Sequence, residues 1–202
     1  MESTNNNYTV HNQLIRLLFI LQLVGHLSFS ALGQPDISID WKNKTVTLNN
    51  ASITKQSTIT DIRKAIGSEN RAFAEDNNPT RLYIYDSLGI DFVIDTIKNI
   101  LQKLTIRLSK GRRDFDSTPE NLFTGKLVSN NKSINTDDKI EAILLKTNLP
   151  FKEWAPGFYW YSADNEEFSV TIAYRDKKRD VISTVYILFS EDKEEPGCSF
   201  NW

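Results

Sequence analysis

Histidine and cysteine, which carry much of enzyme catalysis, are nearly absent from this sequence. The 202-residue chain has two histidines and one cysteine. His11 and His26 both lie before position 34, and Cys198 lies close to the C-terminus. One cysteine excludes an intramolecular disulfide. If the segment 1–33 is removed, no histidine remains, which excludes Ser-His-Asp and Cys-His catalysis and histidine-ligated zinc.

Sequence motifs for nucleotides and metals are also missing. The chain has no P-loop, no G-x-G-x-x-G and no EF-hand pattern. Its formal net charge is −2, so no overall positive field favours nucleic acid or an anionic membrane. We therefore expect a protein that is not an enzyme, with no cofactor, no metal site and no nucleic-acid partner.

The segment 1–33 is typical of a secretory signal peptide. A short apolar run, Leu17–Val24, follows Arg16, and the small-any-small sequence Ala31-Leu32-Gly33 precedes Gln34. The run is shorter than the roughly 17 to 25 apolar residues that cross a bilayer. We predict cleavage after Gly33, no stable membrane span afterwards, and a periplasmic or secreted protein. The alternative is a chain anchored in the membrane by an uncleaved N-terminal segment.

A pattern in the first half of the chain recurs in the second half. The stretch Ile53–Gly67 is matched by Ile134–Asn148, an offset of 81 in residue number, with isoleucine at the same three steps. Phe73 stands opposite Trp154 at the same offset. Farther on, LYIYDSLGIDFVI matches FYWYSADNEEFSV at an offset of 76, and the last apolar run returns to 81. Self-similarity at a nearly fixed spacing indicates a duplicated structural unit.

Each copy has the pattern of strands around one short helix. Alternating apolar residues over 37–48 predict a hairpin, and Ile59, Ile62 and Ile66 form a helical stripe between the capping pair Thr58/Asp61 and Gly67. Three β-rich runs follow, at 81–85, 90–94 and 104–108. The sequence therefore predicts an α+β fold of two tandem ββαβββ repeats, with short helices packed on antiparallel sheet. The apolar spacing over Thr96–Leu101 also fits a helix.

Composition divides the chain into five segments. The boundaries are a signal peptide over 1–33, repeat 1 over 34–109, a charged linker with glycine and proline over 110–122, repeat 2 over 123–190 and an acidic tail over 191–202. In repeat 2 we expect a helix over 136–145 and strands at 125–128, 133–134, 157–162, 167–175 and 181–190.

Aromatic residues cluster at the start of one predicted strand. In Gly157-Phe158-Tyr159-Trp160-Tyr161, Phe158 and Trp160 point to one face of the sheet and Tyr159 and Tyr161 to the other. A helix covers only one of those faces. We therefore predict that another protein binds at this strand, through Trp154, Phe158, Tyr159, Trp160 and Tyr161. The alternative is that the two copies pack together through their uncovered faces.

Acidic residues around equivalent hairpins offer a second hypothesis. They are Asp86, Asp91 and Asp95 in the first copy and Asp164, Glu166 and Glu167 in the second. Glycoside hydrolysis needs two carboxyl groups that flank one bond, and Trp154 and Trp160 would suit a sugar ring. A carbohydrate-binding or carboxylate-dependent glycan-active protein is therefore the alternative to a protein-binding module. Acidic residues on solvated turns are the commoner explanation, and a structural envelope component is a third hypothesis.

The isoleucine-striped helix ends at Ala65-Ile66-Gly67 and leads into a three-stranded meander. This resembles the repeat of small exported helix-on-sheet proteins, which include the β-lactamase inhibitor protein and the SmpA outer-membrane assembly factor. The whole chain also resembles uncharacterised secreted α+β proteins of Bacteroidetes-type bacteria, some of them in toxin and immunity contexts. The resemblance implies an exported binding module of inhibitor or immunity type. The inhibitor family is disulfide-bonded and the assembly factor is usually a lipoprotein, and this chain has neither feature.

Overall fold

The computed structural model describes residues 33–74, 79–110, 117–154 and 159–189. All the elements below belong to the unit Gln34–Trp202. The predicted signal peptide up to position 32, Phe158, Cys198 and the predicted tail over 191–202 lie outside the described residues.

The described residues form thirteen strands and two short helices, so the fold is mostly β. The strands are β1 (Ile37–Asp40), β2 (Thr45–Leu48), β3 (Ala51–Ile53), β4 (Arg71–Ala74), β5 (Thr80–Tyr85), β6 (Ile90–Asp95), β7 (Ile100–Arg107), β8 (Leu127–Ser129), β9 (Lys132–Ser133), β10 (Lys152–Glu153), β11 (Trp160–Asn165), β12 (Phe168–Tyr174) and β13 (Ile182–Phe189). The helices are α1 (Ile59–Ile66) and α2 (Ile140–Thr147).

These strands form two sheets. A five-stranded sheet has the order β3-β2-β1-β8-β9, and an eight-stranded sheet has the order β10-β11-β12-β13-β7-β6-β5-β4. Every described pairing is antiparallel except that of β1 with β8. The expected antiparallel sheet and short helices are therefore present, in a fold with more strand than the prediction gave.

Helix α1 begins and ends where its capping residues predict. The Thr58 backbone N–H donates to Asp61 Oδ2 at 3.0 Å, and the Asp61 N–H donates to Thr58 Oγ1 at 3.4 Å, which completes the capping box. Gly67, with φ 87°, ends the helix. Helix α2 begins at Ile140 rather than at 136, because Asp138 accepts the Asn135 N–H at 2.8 Å and residues 136–137 form a turn.

The predicted helix over Thr96–Leu101 is wrong. Residues 96–99 form a turn, and β7 begins at Ile100. The cause is Asp95, whose Oδ1 accepts the backbone N–H of Ile97 at 3.0 Å and of Lys98 at 2.9 Å. A side chain that caps its own turn competes with helix formation. The prediction also missed β3, β4 and β10, which are at most four residues long.

The eight-stranded sheet has two different faces. We call inner the face whose residues share one apolar core with the five-stranded sheet and both helices; it includes Phe92, Leu104, Ile172 and Val185. We call outer the opposite face. Ile84, Val93 and Ala173 on the outer face are also buried but do not belong to that core. The core therefore lies on the inner side of the sheet, and a separate group of side chains on the outer side is also buried from solvent.

The described part of the predicted linker packs against the eight-stranded sheet. Arg71 Nη2 donates to the Thr118 carbonyl at 2.9 Å, and Arg107 donates to the Pro119 carbonyl. The Phe123 N–H donates to the Arg107 carbonyl at 2.7 Å. Gly89, with φ 69°, allows this approach, because a Cβ there would lie 2.2 Å from the Phe123 nitrogen. This segment is therefore part of the packed fold as well as a connection.

Candidate binding site on the outer face of the eight-stranded sheet

The predicted aromatic residues divide between the two faces of the sheet. Strand alternation in β11 places Trp160 on the outer face and Tyr161 on the inner face, where Tyr161 belongs to the core. Tyr159 packs against that core as well. The Trp154 backbone N–H donates to the Trp160 carbonyl at 3.0 Å, and the two indole rings contact each other. Trp154 and Trp160 therefore form one group, and Tyr159 and Tyr161 another.

Arg179 covers the second group. Its guanidinium carbon lies 5.9 Å from the Tyr159 ring centroid and 5.3 Å from the Tyr161 ring centroid. Its Nη2 also donates to Glu153 Oε1 at 2.6 Å. The Tyr161 ring meets the Tyr174 ring edge-on, with centroids 6.1 Å apart, and burial raises the pKa of the Tyr161 hydroxyl. These tyrosines therefore pack the edge of the core beneath Arg179.

Three aromatic rings cross the outer face in continuous contact. The centroids of Trp154 and Trp160 are 5.8 Å apart, and those of Trp160 and Tyr186 are 6.0 Å apart. Between β11 and β13 lies β12, where the small residue Ala173 is paired with Trp160. A small side chain there lets the rings of two non-adjacent strands meet. We call Trp154, Trp160 and Tyr186 the aromatic row; all three are partly buried.

A second row on the outer face is polar. Register places Ser162, Thr171, Tyr186, Thr105 and Asp91 side by side on five neighbouring strands. Ser162 Oγ and Thr171 Oγ1 are 2.6 Å apart and hydrogen-bonded. We call these five residues the polar row. Tyr186 belongs to both rows, so the polar row meets the aromatic row at that residue.

Asp91, which is buried, and Lys103, which is partly buried, bring titratable groups to the outer face. Asp91 is only 5% exposed, and burial raises the pKa of its carboxyl to about 6, against the opposing effects of Lys103 and a hydrogen bond with Thr105. Burial also lowers the pKa of Lys103. The Lys103 ammonium lies 6.0 Å from the Tyr186 ring centroid. Perturbed titratable groups in a shielded place are typical of functional sites, although structural ion pairs produce the same effect.

The other predicted acids have structural partners. Asp86 accepts from Arg71 Nε at 2.7 Å and Nη2 at 2.6 Å, and this lowers the pKa of its carboxyl. Glu166 pairs with Lys44 at 2.6 Å, and Glu167 lies 3.6 Å from Lys55. With Asp95 in its turn, four of the six acids therefore stabilise hairpins or tie the two sheets together.

The remaining two acids lie on the outer face but far apart. Asp164 on β11 and Asp91 on β6 are separated by four strand spacings, about 19 Å along the sheet at roughly 4.8 Å each. The carboxyl groups of a glycosidase are about 5 to 10 Å apart. The described residues also contain no cluster of three His, Cys, Asp or Glu side chains that would hold a metal ion.

Sequence reasoning missed Tyr186, Lys103 and Thr105 as site residues. Tyr186 and Thr105 each stand between two core residues of their strands, and Lys103 stands between Gln102 and the core residue Leu104. Polar residues at alternate positions of a strand usually indicate a solvated face. Only the register across five strands shows that these side chains meet, so no signal within a single strand identifies them.

Neither described helix is long and apolar enough to cross a membrane. No curated protein sequence matches the chain. Among solved structures, a cysteine-rich secretory protein from Staphylococcus aureus subsp. aureus Mu50 aligns with 9% identity and a TM-score of 0.39. The alignment covers 68% of this chain and 44% of the staphylococcal chain, and it is too weak to indicate a shared fold. The DUF7738 family, a domain of unknown function, matches residues 38–144, from β1 into α2; the chain belongs to this family.

Proposed function

We propose that this chain is an exported, non-enzymatic protein-binding module that binds its partner through the outer face of the eight-stranded sheet. The aromatic row is the observation that carries the proposal. Its three rings contact one another on the face opposite the core and remain partly exposed. Tryptophan and tyrosine are enriched among the residues that dominate binding energy at protein interfaces. An inhibitor or immunity protein is a binding module of this kind.

The polar row favours a protein partner over a sugar. A carbohydrate site needs polar groups that are free to bond hydroxyls beside its aromatic rings. Here Ser162 and Thr171 bond to each other and are buried, and the Asp91 carboxyl is buried beside Thr105. A partner that covers the aromatic row would meet ring surface, as at the core of protein interfaces.

Carbohydrate binding is the second candidate, because polar side chains flank the indole rings. Lys152 and Asp164 are exposed and share the outer face with Trp154 and Trp160. A glycan array probed with the purified chain tests this candidate. Binding that disappears in Trp160→Ala would favour a glycan ligand, and a silent array would remove this candidate.

Affinity capture tests the protein-binding proposal. The tagged chain serves as bait in cell-envelope and culture-supernatant extracts, beside Trp160→Ala and the control Leu145→Ala. Leu145 lies on α2 and is 88% exposed, so the control removes an apolar side chain far from the site. We expect one protein at stoichiometric yield with wild type and control, and its loss with Trp160→Ala. Equal recovery with all three baits would contradict the proposed site.

We also propose that the fold contains two tandem copies of one unit. Helices α1 and α2 begin at Ile59 and Ile140, an offset of 81, and the paired positions of the hairpins β2–β3 and β8–β9 differ by the same offset. The hydrogen bond from the Leu101 N–H to the Lys55 carbonyl has its counterpart, at this offset, in the bond from Ile182 to Thr136. In the β7–β13 ladder, Thr105 is paired with Tyr186, and these two residues are themselves 81 positions apart. The offset therefore exchanges the two strands of this ladder. These coincidences support a duplication with a pseudo-two-fold axis between β7 and β13.

The ladders give a different alignment of the middle strands from the one read in the sequence. Irregularities in register occur between Val93 and Ile94 in β6 and between Ala173 and Tyr174 in β12. If these two irregularities are equivalent, β6 corresponds to β12 at an offset of 80 in residue number. Leu82 is paired with Val93 and Trp160 with Ala173, so β5 then corresponds to β11 at an offset of 78. The offset of 76 came from aligning the aromatic residues of the two hairpins in the sequence. It differs from the offsets of 78 and 80 that the strand pairing favours. The resemblance to the inhibitor and SmpA repeats stays a prediction.

A further inference from the structure

The pseudo-two-fold axis relates the two flanks of the outer face. In the β7–β13 ladder, Leu104 faces Ile187 and Ile106 faces Val185. At the offset of 81, Leu104 corresponds to Val185 and Ile106 corresponds to Ile187. The pair Leu104–Ile187 therefore corresponds to the pair Val185–Ile106, with the two strands exchanged. Each flank therefore has a counterpart on the other side of the axis, reached by a rotation of half a turn.

The indole pair has such a counterpart in Phe73 and Leu82. Phe73 on β4 lies directly opposite Leu82 on β5. Offsets of 81 for β4 and 78 for β5 carry these residues onto Trp154 and Trp160, which are opposite each other at the other flank. Both pairs lie at an outermost strand and its neighbour. The duplicated unit thus places an apolar pair at the same location in each copy.

Phe73 is accessible and has its own stabilising neighbour. Its side chain is 42% exposed. The Arg71 guanidinium carbon lies 5.7 Å from its ring centroid, and Asp86 holds that guanidinium at 2.6 Å. A ring fixed from one side loses little conformational freedom when a partner covers the other.

We propose that Phe73 and Leu82 form a second binding anchor, and that the two anchors bind the two subunits of a homodimeric protein. This inference rests on the proposed function of the outer face. The anchors are about six strand spacings apart, roughly 29 Å along the sheet. Because half a turn relates them, one continuous partner segment would meet them in opposite chain directions. Two identical segments related by a two-fold axis would approach both anchors in the same chain direction.

Site-specific photo-crosslinking in the full chain tests the inference. The probe is p-benzoylphenylalanine, placed at position 73, at position 152, at both, or at position 97 as control. The substitution keeps an aromatic ring at position 73. Lys152 is an exposed residue of the outer face beside Trp154, so both indole rings of the first anchor stay in place. Ile97 is 81% exposed on the β6–β7 turn. Each variant is irradiated in the same envelope extract, and the products are identified by mass and peptide sequence. Circular dichroism melts establish that the four variants are folded.

The expected result is the same protein at 73 and at 152, and none at 97. The doubly substituted chain should add a product that contains one bait and two partner chains. Crosslinking at 152 but not at 73 would overturn the second anchor and leave the proposed function standing. A doubly substituted chain that joins only one partner chain through both positions would overturn the homodimer. No product at either 73 or 152 would contradict the proposed function itself.

Discussion

The inner and outer faces of the eight-stranded sheet are both shielded, but by different chemistry. The inner face buries aliphatic and aromatic side chains in one core with the helices and the five-stranded sheet. The outer face buries hydroxyls and a carboxyl, including Ser162, Thr171, Thr105 and Asp91. Burial of polar groups costs free energy unless they are hydrogen-bonded. Burial therefore acts differently on the two faces: the inner face gains apolar contact, whereas the outer face holds polar groups that are hydrogen-bonded to one another.

The largest expected effect separates a core aromatic from an outer-face aromatic. Phe92 is fully buried and meets Tyr85 edge-on, with ring centroids 5.7 Å apart. Phe92→Ala should lower the free energy of unfolding by about 3 to 5 kcal/mol. Trp160→Ala, on a partly exposed ring, should cost about 1 to 2 kcal/mol. Urea unfolding at pH 7 measures both, and equal losses would mean that the outer face is a second core.

The second prediction concerns pH and the Asp91 carboxyl. Burial raises its pKa in the folded state to about 6, above the unfolded value of about 3.9, so the folded state binds this proton more tightly. Its contribution to the free energy of unfolding is therefore complete below about pH 4. This contribution, at most about 3 kcal/mol, is lost as the pH rises to about 6. Urea unfolding from pH 4 to 7.5 should show this loss in wild type relative to Asp91→Asn. Parallel profiles would contradict the raised pKa.

A smaller effect is expected in the polar row. Ser162→Ala leaves the buried Thr171 hydroxyl without its partner, which should cost about 1 to 2 kcal/mol. The double variant Ser162→Ala with Thr171→Val removes both hydroxyls and should lose less than the two single changes together. A double-mutant cycle from urea unfolding measures this coupling. Additive losses would show that the 2.6 Å contact contributes nothing to stability.

The smallest effects compare two tyrosines on the inner face. The buried Tyr85 hydroxyl has no hydrogen-bond partner among the described residues, whereas the Tyr174 hydroxyl donates to the Asp138 carbonyl at 2.9 Å. Tyr85→Phe should therefore leave stability unchanged or raise it by about 1 kcal/mol, and Tyr174→Phe should lower it by about 1 kcal/mol. Thermal melts of both variants check the sign. A loss in Tyr85→Phe would mean that its hydroxyl is bonded in solution.

The inner face could be predicted from the sequence, because burial imposes a period of two on a strand. Alternation identified the β1–β2 hairpin and the long strands β12 and β13 within a few residues, and the capping pair Thr58/Asp61 identified the start of α1. Composition offers no comparable signal for β4 and β10. They are short edge strands, and their pairing with a neighbour defines them more than their composition does.

The outer face could not be predicted, because it depends on register between strands far apart in sequence. Trp160 and Tyr186 meet diagonally across β12, where the small residue Ala173 is opposite Trp160 and Thr171 is opposite Tyr186. The predicted site combined Trp160 and Tyr161, although strand alternation already placed them on opposite faces, and only one of those faces carries the aromatic row. Asp91 was interpreted as a hairpin acid, and its burial in the middle of a sheet face depends on neighbours from β7 and β13.

The dissociation constant of the captured partner tests the central claim most directly. It should be measured by titration against wild type, Trp160→Ala and Leu145→Ala, each first shown to be folded by urea unfolding. If the aromatic row is the binding surface, Trp160→Ala should weaken binding at least about 30-fold, the effect of losing about 2 kcal/mol at a dominant interface residue. Leu145→Ala should change it less than about twofold. Equal dissociation constants for all three would contradict binding through the outer face.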